Sequence, residues 1–191
     1  MLKVLTGCLG LLMLFGCLSG CYKPPFNNFK PRPAIFALKD TRRALIKELF
    51  KRNIEVVQYG DQITLIVPTD QYFAFNSDRL HELQYKGLEA ILNFMRPYHG
   101  CAIAVASFSD NVDHSKRNWR LTKARAHAMV AFLWANGFSS RQLLPQRFGE
   151  SFPVGDNHFV RGRAYNRRIE IQWPLRSCTL YEGIAGVGVT K

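Results

Sequence analysis

Along this chain, stretches whose apolar residues recur with a helical period alternate with stretches where they alternate or run together, and that pattern lays out most of the fold. Leu45, Ile46, Leu49 and Phe50 recur at helical spacing among Arg42, Arg43, Lys47 and Lys51, so a short helix is expected there, capped by Asp40 or Thr41. Residues 54–59 and 62–67 are rich in β-formers and flank Gly60-Asp61, which predicts a hairpin. A long helix is predicted over 78–96, with Leu80, Leu83, Leu88, Ile91, Leu92 and Met95 on one face and Pro97 and Gly100 closing it. The apolar run 102–106 suits a buried strand. A second helix over 119–135 carries Leu121, Ala124, Ala128, Met129, Phe132 and Leu133 and stops at Asn136-Gly137. In the last strand, 168–173, Ile169 and Ile171 alternate with Arg168, Glu170 and Gln172. Hairpin, helix, strand, helix, strand is an α+β order, a βαβαβ sandwich with its helices on one face of a mixed sheet, preceded by a short helix.

The N-terminus reads as an export signal over 1–20. Lys3 leads into an apolar run from Leu9 to Phe15, too short to span a bilayer, and then into Leu18-Ser19-Gly20-Cys21. A cysteine directly after small residues is the pattern of lipoprotein processing, so Cys21 is expected to carry acyl chains, palmitate among them, that hold the chain on a membrane. Tyr22 is not the aspartate that retains lipoproteins at the inner membrane, and outer-membrane placement with the folded part facing the periplasm follows as the expectation. Residues 21–39 hold Pro24, Pro25, Pro31 and Pro33 without any period and read as an extended tether. One domain is then expected over 40–176 and a Gly-bearing tail over 177–191.

Charge narrows the partners. The chain carries a net +12, and removal of residues 1–20 takes away one lysine and no acid, leaving +11. An excess of that size calls for an anionic partner. In a periplasmic setting that means lipid headgroups, lipopolysaccharide phosphates or peptidoglycan carboxylates, and no nucleic acid. Cys101 and Cys178 remain in an oxidising compartment. If strands 102–106 and 168–173 are parallel neighbours, the two cysteines lie at opposite ends of the pair, roughly 15 to 20 Å apart, and no intramolecular disulfide is expected. No Cys-x-x-Cys or His-x-x-x-His spacing occurs in the mature chain, so neither metal nor cofactor is expected.

Several short segments carry a resemblance. Phe75-Asn76-Ser77, Ser107-Phe108-Ser109-Asp110, the run 118–126 beginning Asn118-Trp119-Arg120, Gly149-Glu150 with Pro153-Val154, and the run 162–170 with Asn166-Arg167-Arg168 resemble, in order and spacing, the OmpA C-terminal domain family. The resemblance covers roughly residues 56–173 and implies non-covalent binding of peptidoglycan at the diaminopimelate of the stem peptide. That group bears an ammonium and a carboxylate, so its reader needs a fixed anion and a planar cation. Asp110 matches the family's aspartate and Arg125 its arginine. Asn118 matches an asparagine that bonds the ligand or orders the following loop. Phe108, Ser109, Asn111, Leu121, Asn166 and Arg168 are the supporting positions, with Asn166-Arg167-Arg168 expected mainly to order the loop entering the last strand. Phe108 stands where the family usually has histidine, which puts the pocket's geometry in question. The whole arrangement also resembles the accessory outer-membrane lipoproteins of Dot/Icm type IVB secretion systems, which implies secretion-complex subunits such as DotC, DotD and DotH as partners.

Blander readings stand beside these. Asp110 could cap a loop, Arg125 could be a solvated helix residue, and the two could pair only with each other. Ser107 or Ser109 with Asp113 and His114 offers hydrolase residue types, and Asp110, Asp113 and His114 metal-binding ones. Neighbours in one loop do not make a triad, no Gly-x-Ser-x-Gly elbow exists, and no enzyme is expected. A docking subunit whose OmpA-like domain no longer binds the wall is the remaining alternative.

Overall fold

A computed structural model describes residues 38–175, with side chains from residue 41. The export signal, Cys21, the tether up to residue 37 and the tail 177–191 lie outside the described residues, as does Cys178. The elements are α1 (Leu38–Lys51), β1 (Glu55–Tyr59), β2 (Gln62–Pro68), α2 (Thr69–Tyr72), α3 (Tyr85–Met95), β3 (Ile103–Phe108), α4 (Ser115–Ala135), β4 (Leu143–Gly149), α5 (Val160–Asn166) and β5 (Arg168–Pro174). The five strands form one mixed sheet in the order β1-β2-β5-β3-β4. No described helix is long and apolar enough to cross a membrane.

Helix α1 begins at Leu38, ahead of both expected caps. The hairpin forms as expected: Gly60, at φ +56, takes the left-handed conformation that the two-residue turn between β1 and β2 requires. Helix α3 starts at Tyr85 rather than at 78. The chain before it is held by backbone pairing instead, with an antiparallel bridge between Phe73 and Leu80 and the bond His81 N to Tyr72 O at 3.0 Å. Leu83, expected on the apolar face, is therefore exposed.

Among the described residues the buried core between sheet and helices runs from Leu49 to Trp173, with Leu45, Ile46 and Leu175 packed against it. Ile63, Leu65 and Val67 of β2, Ile103 and Val105 of β3, and Ile169, Ile171 and Trp173 of β5 face Leu88, Ile91, Leu92 and Met95 of α3 and Met129 and Leu133 of α4. A chain from residue 22 onward keeps all of these residues. Gly87 shows how tightly this interior is filled. A β-carbon there would lie 2.1 Å from the hydroxyl of Tyr72, which donates to the carbonyl of Arg52. Gly87→Ala is expected to destabilise the domain by about 1 to 3 kcal/mol, the range for overpacking, and a denaturant midpoint unchanged from wild type would contradict that contact.

Two features were absent from the sequence reading and one expectation is overturned. Strand β4 pairs in parallel with β3, so the strand-helix-strand crossover is β3-α4-β4. Strand β5 lies between β2 and β3 and runs antiparallel to both. The assumption of parallel 102–106 and 168–173 strands was therefore wrong, and with it the expected separation of the cysteines. Ala104 stands opposite Gln172, so three residues further along Cys101 comes level with Leu175, where the chain leaves β5. Cys101 is disulfide-bonded, and as the one cysteine among the described residues it takes its partner from outside them. Cys178, three residues past Leu175 in the sequence, is the expected partner. Non-reducing peptide mapping is expected to recover a Cys101–Cys178 cross-linked peptide that disappears on reduction; recovery of Cys178 as a free thiol would rule that pairing out.

Candidate functional site

Three strand ends meet at one end of the sheet. The C-terminal end of β2 pairs Pro68 with Arg168 at the start of β5, and the C-terminal end of β3 pairs Ser107 with Ile169. The backbone bonds Thr69 N to Arg167 O at 3.0 Å and Ser109 N to Gly149 O at 2.7 Å fasten the segments leaving these strands. Asp70 on α2, Asp110 just past β3 and Arg167 just before β5 are thereby brought together, and α4 lays Arg125 beside them.

Arg167 bridges the two carboxylates. Its Nε donates to both oxygens of Asp70, at 2.7 and 3.0 Å, its Nη2 to Asp70 Oδ2 at 2.5 Å, and its Nη1 to Asp110 Oδ2 at 2.5 Å. Its hydrogen bonds to Asp70 and then to Asp110 push the guanidinium pKa above its ordinary value, against an opposing burial effect. Asp110 is 8 % exposed, and its other oxygen accepts from Val112 N at 3.3 Å. The expected alternative of an Asp110–Arg125 pair is not what forms: the cation on Asp110 is Arg167.

Arg125 is buried rather than solvated, at 5 % exposure. Its Nε donates to the carbonyl of Ser77 at 2.9 Å and its Nη1 to Thr69 Oγ1 at 3.2 Å, while the guanidinium lies 5.5 Å from the Phe73 ring centre. Both hydrogen-bond acceptors are neutral, and no salt bridge to Arg125 forms among the described residues. Burial lowers its pKa, partly offset by the nearby charges of Asp70, Asp110 and Asp78 and reinforced by Arg167. A buried guanidinium whose direct hydrogen-bond acceptors are both neutral keeps room for a bonded anion.

Asn118 orders the loop. Its Nδ2 donates to the carbonyls of Asp110 at 3.2 Å and Asp113 at 3.1 Å and to Glu150 Oε2 at 3.1 Å. One turn on, Thr122 Oγ1 donates to the Asn118 carbonyl and accepts from Gly149 N, tying α4 to the end of β4. Asn166 acts likewise on the loop before β5: its Oδ1 accepts from Val154 N and Gly155 N, both at 2.8 Å, and its Nδ2 donates to Gly155 O at 2.8 Å. Phe108 is buried, stacked on Phe148 at 4.9 Å between centroids, with the Arg168 guanidinium 4.0 Å from its ring centre. Arg168 also donates to Glu170 at 2.6 Å and to the carbonyl of Phe152 at 3.3 Å. Leu121 is half-buried and Asn111 exposed.

The hydrolase and metal groupings do not assemble. Ser107 Oγ and Ser109 Oγ are buried without hydrogen-bond partners, Asp113 pairs with Arg117 at 3.0 Å, and His114 is exposed at the start of α4. No group of three metal-ligating side chains occurs among the described residues. What the sequence reading missed is Asp70 and the bridging of Asp70 and Asp110 by Arg167. The Asn166-Arg167-Arg168 run was the available signal for the latter, but its partner stands 97 residues away.

Fold and site define a class. The OmpA family matches residues 72–167, half of the chain, and the chain belongs to that family. It is 26 % identical over 133 residues to "Probable lipoprotein YiaD" of Escherichia coli strain K12, covering 69 % of this chain and 61 % of that one. It is 31 % identical over 107 residues to outer membrane porin F of Pseudomonas aeruginosa, covering 56 % of this chain and 31 % of the porin. The chain thus spans less than two thirds of the length of these relatives. Among solved structures, the cell wall anchor of the type VI secretion system from Pseudomonas aeruginosa superposes with a TM-score of 0.63 at 25 % identity, over 70 % of this chain and 96 % of that one. A MotB-like protein from Desulfovibrio vulgaris shares the fold, with a TM-score of 0.60 at 23 % identity over 71 % and 94 % of the two chains.

Proposed function

We propose that the domain binds peptidoglycan non-covalently through the diaminopimelate of its stem peptide. The observation that carries this reading is the pairing of Arg125, buried with only neutral acceptors, with the carboxylates of Asp110 and Asp70 beside it. The ligand's carboxylate supplies the anion Arg125 lacks, held by the guanidinium's planar fork. The ligand's ammonium shares Asp110 with Arg167, whose hydrogen bond holds that carboxylate in place. Likeness to a structure called a cell wall anchor supports the same assignment. The test is co-sedimentation of the chain from residue 22 with purified peptidoglycan of the diaminopimelate type and of the lysine type. Binding to the first and not the second is expected; equal binding to both would remove diaminopimelate as the determinant.

Cys21 and the outer membrane belong to the same proposal, supported by a relative described as a lipoprotein and another as an outer-membrane porin. Cys21→Ser is expected to shift the protein out of the outer-membrane fraction, since Cys21 is the one lipidation signal in the sequence. The protein would then tie an envelope complex to the wall. The arrangement of signal, tether and basic domain resembles DotK (IcmN) of type IVB secretion systems, so such a complex, with DotC, DotD or DotH as neighbours, is the assembly proposed. A second reading is favoured by one observation: Asp110 is already neutralised by Arg167, as in a domain kept for docking alone. Failure of the wild-type chain to sediment with either wall would select it.

A further inference from the structure

Helix α4 carries five Lys and Arg residues and His127 but no acid in its 21 residues. Arg125 points inward; Lys116, Arg120, Lys123 and His127 are all exposed and recur at intervals of four, three and four, which puts them in one stripe along the outer face. The stripe is about 16 Å long at the helical rise. Lys123 and His127 line one wall of a groove whose other wall is the edge strand β4, with Pro145, Gln146 and Arg147. Arg147 extends the positive surface and lies over the Trp119 ring at 5.1 Å. The same helix exposes two indoles, Trp119 at 41 % and Trp134 at 60 %.

Within the described residues this charge is not answered. Lys116, Arg120, Lys123 and Arg147 form no salt bridge, and of the carboxylates on the flanking loops Asp113 is taken by Arg117 and Glu150 by Asn118. Like charges at helical spacing disfavour the helix that carries them. A stripe kept at that cost, set apart from the Asp110 site and bordered by exposed indoles, has the make-up of a helix that lies on an anionic bilayer. Cations meet phosphates there and tryptophans sit at the headgroup level. The geometry points to the outer face of α4, with Arg147, as a second binding surface for the phosphate headgroups of an anionic membrane leaflet. Binding there would hold the domain flat against a membrane while the Asp110 site, at the end of the inner strands, reads another ligand. A second copy of the chain would present the same positive charge, and a compact soluble anion would use the groove without the indoles.

The test uses the chain from residue 22, so that no acyl anchor contributes, with vesicles of phosphatidylglycerol in phosphatidylcholine at about 0.1 M salt, where charges beyond roughly 10 Å are screened. Wild type is expected to co-sediment with these vesicles and not with pure phosphatidylcholine. Each cation at an anionic surface is worth about fivefold in partitioning, so Lys123→Glu with Arg147→Glu is expected to reduce binding at least ~25-fold. Arg43→Glu with Lys47→Glu, exposed on α1, makes the same change in net charge and is expected to cost less than about twofold. Trp173 is fully buried, so a blue shift of tryptophan emission on adding vesicles reports Trp119 and Trp134. It is expected for wild type and absent from the α4 double variant. Equal losses in the two double variants, or no vesicle binding by wild type, would overturn the proposal. So would saturation by inorganic phosphate without vesicle binding, or loss of peptidoglycan binding alone in the α4 variant.

Discussion

Asp110→Ala is expected to abolish co-sedimentation of the chain with diaminopimelate-type peptidoglycan while leaving the fold intact. The carboxylate sits in a loop, its contacts are to Arg167 and Val112 N, and none of them supports the core. Its loss leaves the ligand ammonium without a partner and frees Arg167 to repel it. Truncating one member of such a charge pair costs about 2 to 5 kcal/mol, or roughly 30-fold to several thousand-fold in affinity. Arg125→Ala should lose binding as completely but also some stability, because the carbonyl of Ser77 and the hydroxyl of Thr69 lose their donor. Arg125→Lys separates the two effects: it keeps a charge in the helix but cannot present a planar fork, so a folded, weakly binding protein is expected. A diffuse attraction from the +11 of the chain from residue 22 would instead fade with salt and ignore single substitutions. Wild-type binding matched by both alanine variants at moderate salt would show that the site lies elsewhere.

Arg168→Ala is expected to be among the most damaging single changes to stability. The side chain is 4 % exposed, bonded to Glu170 at 2.6 Å, to the carbonyl of Phe152 and, by stacking, to the Phe108 ring. Removing it leaves Glu170 in the sheet with only Gln172 as a bonded neighbour. Breaking a buried pair from one side costs about 3 to 5 kcal/mol. Urea unfolding followed by circular dichroism measures this directly, and a loss under about 1 kcal/mol would show that Glu170 finds water instead. Phe108 should respond in the same experiment. Phe108→His, which restores the residue usual in the family, breaks the stack on Phe148 and weakens the contact with Arg168, and so is expected to lower stability rather than improve the site.

Much of the fold was legible because its elements bury one face. The hairpin, β3, β5 and the Asn136-Gly137 end of α4 fall where periodicity and turn residues put them. Strand β4 was not legible, because four successive residues, Leu144 to Arg147, are exposed on the sheet's edge and leave no alternation to detect. The start of α4 was placed four residues late for a related reason. Its inner face there is polar, with Asn118, Thr122 and Arg125 buried, so hydrophobic spacing gives no signal before Leu121 and the buried apolar positions begin only at Ala126. Helix α5 is seven residues long and buries only Asn166. At the site, Asp110 and Arg125 were found through the pattern around them. Asp70 was not, because it acts through Arg167 from the far side of the sequence, and only the placement of β5 beside β2 joins them.

That placement also governs when the domain can exist at all. The last of the described strands is the middle one of the sheet, with seven residue pairs to β2 on one side and four to β3 on the other. Until residue 174 has emerged, the β1-β2 hairpin and the β3-α4-β4 unit have no strand between them, and each shows an unpaired edge. A chain emerging N-terminus first therefore stays open until β5 has emerged. It then closes in one late, long-range step, the kind that makes folding slow and highly cooperative. Nascent chains released before residue 168 should be protease-sensitive along their whole length, with no half-domain surviving digestion.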